Sequence, residues 1–134
     1  VIDEALFTRL SGFAGLSSLV GSRIYPVMLP QSPTYPAISH FSIGGGETVM
    51  AMGSDPGLVV AQWQFSAWGS KAKDARDAIE QVRLALQRFR GTVSGTVIQD
   101  ILADGPMRRE PPELVDGVLV FQFSRDFRIW YVEG

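Results

Sequence analysis

Residues 58–70 read LVVAQWQFSAWGS, and residues 71–91 continue KAKDARDAIEQVRLALQRFRG. In the first segment Val59, Ala61, Trp63, Phe65 and Ala67 alternate with Val60, Gln62, Gln64, Ser66 and Trp68. One apolar face and one mostly polar face at period two predict a half-buried strand. In the second segment Ala72, Ala75, Ile79, Val82, Leu86 and Phe89 recur at steps of three and four. That spacing predicts a helix of about twenty residues, roughly 30 Å long, with a single apolar stripe. Ser70 is placed to cap it and Gly91 to follow its end. Asp74 and Asp77 early, with Arg83, Arg88 and Arg90 late, complement the helix dipole. Its outer face carries Arg76, Glu80, Arg83 and Gln87, which would meet either water or another subunit.

Working upstream, Ala37, Phe41 and Ile43 alternate with Ile38, His40 and Ser42, so 37–43 reads as a strand pairing with 58–68. The intervening GGGETVMAMGSDPG is too long for a tight hairpin turn, which predicts a flexible loop over 44–57. Four prolines, at 26, 30, 33 and 36, predict an extended connection before the first strand. Ile2, Ala5, Leu6 and Leu10 have helical spacing, and Leu16, Leu19 and Val20 suggest a further helical turn ended by Gly21. Downstream, Val93, Val97, Ile98, Ile101 and Leu102 predict a strand over 92–102. The proline-bearing stretch 103–117 reads as a loop. The closing VLVFQFSRDFRIWYV reads as a long strand with a bend or bulge near Ser124–Asp126, or with a protruding end, since fifteen extended residues span about 50 Å. The sum is an α+β domain with a mainly antiparallel sheet of about four strands and helices packed on one face.

A chain of 134 residues, 46% hydrophobic, supports one core rather than two, so residues 1–134 read as a single domain. A net charge of −2 disfavours nucleic-acid binding by bulk electrostatics. The absence of cysteine removes disulfides, thiolate nucleophiles and cysteine zinc sites. No apolar run approaches the ~18 residues of a membrane span, and the opening VIDEALF is acidic where a signal peptide is basic. The expectation is a soluble protein made in the cytoplasm.

Catalytic equipment is sparse. The lone His40 has no Ser, Cys or carboxylate partner at a recognisable spacing, so a structural or surface role is favoured. Gly44-Gly45-Gly46 is not followed by Lys-Ser or Lys-Thr and opens no helix, so backbone freedom explains it better than a phosphate loop. Asp100, Asp104, Glu110, Glu113 and Asp116 match no calcium loop and read as a solvated acidic segment. No catalytic, cofactor or metal residue is assigned. Contact residues stand out more clearly. Val49, Met50 and Met52, between glycines, suit an adaptable contact surface. Trp68, Trp130 and Val132 lie opposite the main apolar rows, where interfaces recruit aromatics.

Three runs carry a resemblance: LSSLVGSRIYPVMLPQSPTYPAISHFSI, VVAQWQFSAWGSKAKDARDAIEQVRLAL and FSRDFRIWYVE. Together they resemble the tail-completion, or tail-terminator, proteins of long-tailed bacteriophages and gene transfer agents. The resemblance implies a virion neck protein that assembles as a ring, commonly hexameric. Such a ring closes the head-proximal end of the tail tube and faces the head connector, and DNA passes through it unread. It implies no cofactor and no enzyme activity. A connector-adaptor role, and a small ligand-binding or carboxylate-dependent enzyme, are the alternatives.

Overall fold

The structure is a computed structural model that describes residues 2–27, 29–30, 34–51, 54–115 and 117–133; of 44–51, 54–58, 115 and 133 it describes the backbone. In chain order the elements are α1 (Ile2–Ser11), α2 (Ala14–Val20), β1 (Ile24–Pro26), β2 (Ala37–Ala51), β3 (Ser54–Gly69), α3 (Ala72–Leu86), β4 (Gly91–Val93), β5 (Thr96–Ala103), β6 (Arg108–Val115) and β7 (Val118–Glu133). The strands form one sheet in the order β1-β2-β3-β7-β5-β4, with β6 also beside β7. Among the described residues β1–β2 is the one parallel pair.

The α+β class and the antiparallel β2–β3 pairing hold, but the sheet has seven strands rather than about four. The additional ones are those that periodicity cannot reveal. β1 and β4 are three residues each, too short to alternate. β6 contains Pro111 and Pro112, yet it pairs on one side only, with β7. Prolines are tolerated on such an edge, and the register shift between Glu110 and Glu113 accommodates them. The expected loop over 103–117 is therefore largely strand. The expected flexible loop over 44–57 is also corrected. The β2–β3 ladder continues through Glu47↔Val60 and Val49↔Leu58 to Ala51↔Ser54, with Ile43 and Gly46 each bulged from β2. Bulges absorb the glycines that break alternation in the sequence.

β7 runs unbroken against β3 from Phe121↔Gly69 to Val132↔Leu58. The irregularity expected at 124–126 falls instead on its other neighbour. β5 pairs with the second half of β7 and β6 with the first half, so β5 and β6 are one broken strand along a single edge. Residues 104–107 bulge out opposite Arg125–Asp126, pinned by Asp104 N–H donating to the Asp126 carbonyl at 2.8 Å.

The apolar faces predicted from residues 58–91 meet each other. Ala61, Trp63, Phe65 and Ala67 are buried, as are Ala75, Ile79, Val82 and Leu86 of α3, in one cluster with Phe123, Phe127 and Ile129 of β7. Gly69 makes the turn between them possible, because a Cβ there would lie 3.1 Å from the Ala75 nitrogen. α3 is shorter than expected. It ends at Leu86, Arg88 takes φ +62, and the Arg88 N–H donates to the Ile101 carbonyl at 2.7 Å. Pairing with the sheet edge ends the helix before Gly91 is reached. The N-cap position falls on Lys71, without a side-chain cap, rather than on Ser70. Arg9 ties α1 to that end of α3. Its Nε donates to the Ala85 carbonyl at 2.8 Å and its guanidinium lies 4.1 Å from the centroid of Phe89.

Candidate assembly surfaces

The face of the sheet turned away from the helices is polar and internally paired. Gln62 Nε2 donates to Asp104 Oδ2 at 3.0 Å, and Arg128 reaches the same oxygen at 3.3 Å. Arg108 donates to Asp126 at 3.0 Å and lies 3.6 Å from Glu110. Its hydrogen bond to the Asp126 carboxylate is the leading cause that raises the Arg108 pKa. Between these pairs, Ser66 and Ser124 share a 2.9 Å hydroxyl contact and Gln122 donates to Ser66 at 3.1 Å. Both serines are buried and thus satisfied from within the face. Trp68 belongs to the same layer, its indole N–H donating to Ser39 at 2.9 Å. Trp130 is half-buried opposite Val60.

Three members of the acidic cluster, Asp100, Asp104 and Glu110, are paired with arginines. Asp100 lies 2.8 Å from Arg88 and 3.6 Å from Arg90, and Asp104 and Glu110 are paired as above. Asp116 lies outside the described residues. Among the described residues no group of three or more His, Cys, Asp or Glu is arranged to hold a metal ion, and no helix is long and apolar enough to cross a membrane.

On the outer face of α3, Arg76 is exposed and Glu80 pairs with Arg83, whose Nε donates to it at 2.8 Å. That hydrogen bond leads the causes that hold the Glu80 carboxyl below its usual range. Gln87 faces inward instead: its Oε1 accepts the Ala103 N–H at 2.7 Å. It completes the helix end against β5. The side chains of Val49 and Met50, and all of Met52, lie outside the described residues. Their segment is the tip of the β2–β3 hairpin, which continues past the last β3–β7 pair at Leu58↔Val132.

Two apolar surfaces were not anticipated. The first is the tip of the β6–β7 hairpin, which continues past the opposite end of the β3–β7 ladder at Gly69↔Phe121. Leu114, Val118 and Leu119 are 72%, 48% and 46% exposed there. The second is a cavity of about 430 Å³ bounded by Asp3, Glu4 and Phe7 of α1, Ile24 and Pro26 of β1, and His40 of β2. His40 is buried, and its Nδ1 accepts the Trp63 indole N–H at 3.1 Å. Burial lowers its pKa, opposed in part by the Asp3 carboxylate. Of the structural and surface roles expected for it, burial leaves His40 off the surface. The signal for the hairpin tip was present in PELVDGVLV, where Asp-Gly between apolar residues marks a hairpin.

The geometry is thus an α+β sheet with paired polar groups on its outer face and an exposed apolar tip on the β6–β7 hairpin. The comparisons make this specific. The sequence profile of the family described as tail completion protein gp17 matches residues 4–131, and the chain belongs to that family. It is accordingly a structural, virion-associated tail protein. A chain of the virion of a native gene transfer agent particle has the same fold, with a TM-score of 0.70 at 19% identity over 95% of this chain and 91% of that one. A second solved chain aligns with a TM-score of 0.55 at 12% identity, covering 96% and 92% respectively. No curated protein matches.

The motifs that carried the resemblance have structural work in the fold. Gly21, at φ +59, ends α2. Arg23 then donates to the carbonyls of Leu19 and Pro36 at 3.2 and 2.9 Å, binding the helix to the start of β2. In Asp126–Tyr131, Phe127, Ile129 and Tyr131 enter the core while Asp126 and Arg128 join the outer network.

Proposed function

We propose that this protein is the ring-forming subunit that closes the head-proximal end of the tail tube and joins it to the head connector. The observation that carries this reading is membership of the tail completion family over 128 positions, residues 4–131. The two hairpin tips at opposite ends of the β3–β7 ladder support it, because a subunit joined to different partners needs more than one contact surface. The ring is a homo-oligomer, hexameric by family resemblance. The β2–β3 tip with Val49, Met50 and Met52, the outer face of α3 at Arg76, Glu80 and Arg83, and the Trp68–Trp130 layer supply contacts to neighbours. DNA passes through without being read. The pairing of Asp104 with Arg128 and of Asp126 with Arg108 leaves that part of the sheet face without a free basic array to grip phosphate.

Negative-stain imaging and co-sedimentation with purified tail tubes test the reading. Rings capping one end of each tube are expected. A protein that neither forms rings nor binds tubes overturns it, and preferential binding to portal-containing heads transfers it to the connector-adaptor role.

A further inference from the structure

We propose that the tip of the β6–β7 hairpin of one copy docks in the α1–β1–β2 cavity of the next, so that one heterologous contact repeats around the ring. The inference rests on the ring reading and names the contact that closes it.

The hairpin sorts its chemistry by face. Leu114 pairs with Leu119, and Arg109 with Phe123. Opposite residues of an antiparallel pair share a face. Alternation along β7 puts Leu119, Phe121 and Phe123 on one side, so Leu114 and Arg109 join them there. The Arg109 guanidinium lies 5.8 Å from the centroid of Phe123 and has no ion pair among the described residues. Glu110 and Glu113 pair with Gln122 and Val120, on the other side. One face of the hairpin therefore offers two exposed leucines and a cation, with Glu110 and Glu113 turned away.

The cavity has the complementary set. Ile24, Pro26 and Phe7 make its walls, with Phe7 39% exposed. Asp3 and Glu4 stand exposed at its edge, and neither has an ion pair among the described residues. Beside it Val27 is held at φ +68 with its side chain 67% exposed. A β-branched residue is strained in that region, and within its own chain the exposed side chain gains little burial in return.

Position makes the contact heterologous. The hairpin hangs from β7 in the middle of the sheet, while the cavity lies beside α1 between β1 and Ser94 of the β4–β5 turn, at the two ends of the strand order. Distinct surfaces that fit each other join copies head to tail, and such contacts close into rings or extend into filaments.

Junction-blocking variants of the full chain provide the test. Leu114→Asp/Leu119→Asp disables the hairpin, and Asp3→Lys/Glu4→Lys inverts the cavity edge; both alter exposed positions, and melting curves establish that each folds. Sedimentation velocity with and without tail tubes reads assembly. Each variant alone is expected to stay monomeric, with the junction weakened about tenfold or more. Mixed, the two variants retain one intact junction, formed by the cavity of the first and the hairpin of the second, and stop at dimers. Adding Arg109→Glu to Asp3→Lys/Glu4→Lys restores rings. Rings from the hairpin variant, or a mixture without dimers, overturn the proposal while leaving the ring reading standing. A wild-type chain that forms no ring even on tubes removes both. If the hairpin variant forms rings but no longer binds tubes, the tip faces the tube and the proposal fails.

Discussion

His40 is the only histidine in the chain, so between about pH 5 and 7 no other side chain has its ordinary pKa in range. In the fold its neutral form is favoured. It is 2% exposed, and its Nδ1 accepts a hydrogen bond from Trp63, which a protonated Nδ1 could not do. Burial lowers the folded pKa below the unfolded value of about 6.5. The sign follows directly. Where the unfolded chain binds a proton that the folded one refuses, stability rises with pH. Its full value is therefore present above the unfolded pKa and is lost as pH falls from there toward the folded pKa. The slope for one proton approaches but does not exceed about 1.4 kcal/mol per pH unit. Urea unfolding followed by tryptophan fluorescence at half-unit steps from pH 5 to 7.5 measures it. His40→Asn keeps an acceptor near Nδ1 without a titrating group, so its stability should be flat over this interval whatever its absolute value. Trp63→Phe leaves a buried acceptor unpaired, at a cost of about 1–3 kcal/mol, and should reduce the acid-side loss because protonation no longer breaks a hydrogen bond. A wild-type profile as flat as that of His40→Asn, or an Asn variant that keeps the slope, would refute the reasoning.

Three further outcomes are expected. Val82→Asp or Leu86→Asp places a carboxylate at a position with 0% exposure under the sheet, a loss above about 4 kcal/mol, and circular dichroism should show an unfolded protomer at 25 °C. Met50→Ser with Met52→Ser should weaken ring or tube association in sedimentation while shifting the monomer melting temperature by less than about 2 °C; a fall of several degrees would assign those side chains to the protomer's own packing. Exchanging the α3 pair by Glu80→Arg/Arg83→Glu keeps an i,i+3 contact and inverts the local field. Melting should change by less than about 0.5 kcal/mol equivalent, and a ring blocked without that change would place the helix face in an interface.

The two elements with strong periodicity were readable because burial dictates them. Trp63, Phe65, Ile79 and Val82 had to face one another, and the alternation of residues 58–68 put Ser66 and Gln62 on the far side, where Ser124 and Asp104 now satisfy them. Features held by backbone pairing alone were not readable in this way. Nothing in GGGETVMA or RREPPELV alternates cleanly, yet both lie along β2 and β6, because a ladder needs only N–H and C=O groups and tolerates bulges. The shortened α3 has the same origin. The stripe continued to Phe89, but the Ile101 carbonyl captures the Arg88 N–H, a long-range competitor that no local pattern displays. Of the contact residues, Gln87 had helical-face logic on its side and still turned to Ala103, since a helix end beside an unpaired strand N–H leaves a buried donor to satisfy.

What links these failures is their location. The strands that escaped sequence reading border or extend beyond the central β3–β7 pair, and two of the misread segments end in the hairpin tips. The centre is over-determined. Phe65, Phe127 and Ile129 are buried, and the polar layer over β3 and β7 is cross-linked from Ser39 to Asp104. The polar groups of that face, already paired with one another, have little to gain from new hydrogen bonds to another chain. The apolar residues with most to gain include Leu114, Val118 and Leu119 at the hairpin tip, Val27, Phe7 and Ile43, and Leu84 on α3, all exposed. Association at such points removes apolar area from water without breaking an existing hydrogen bond. Burying the hairpin tip would therefore leave the hydrogen bonds of the polar layer intact, because the exposed apolar groups and the paired polar groups are different residues.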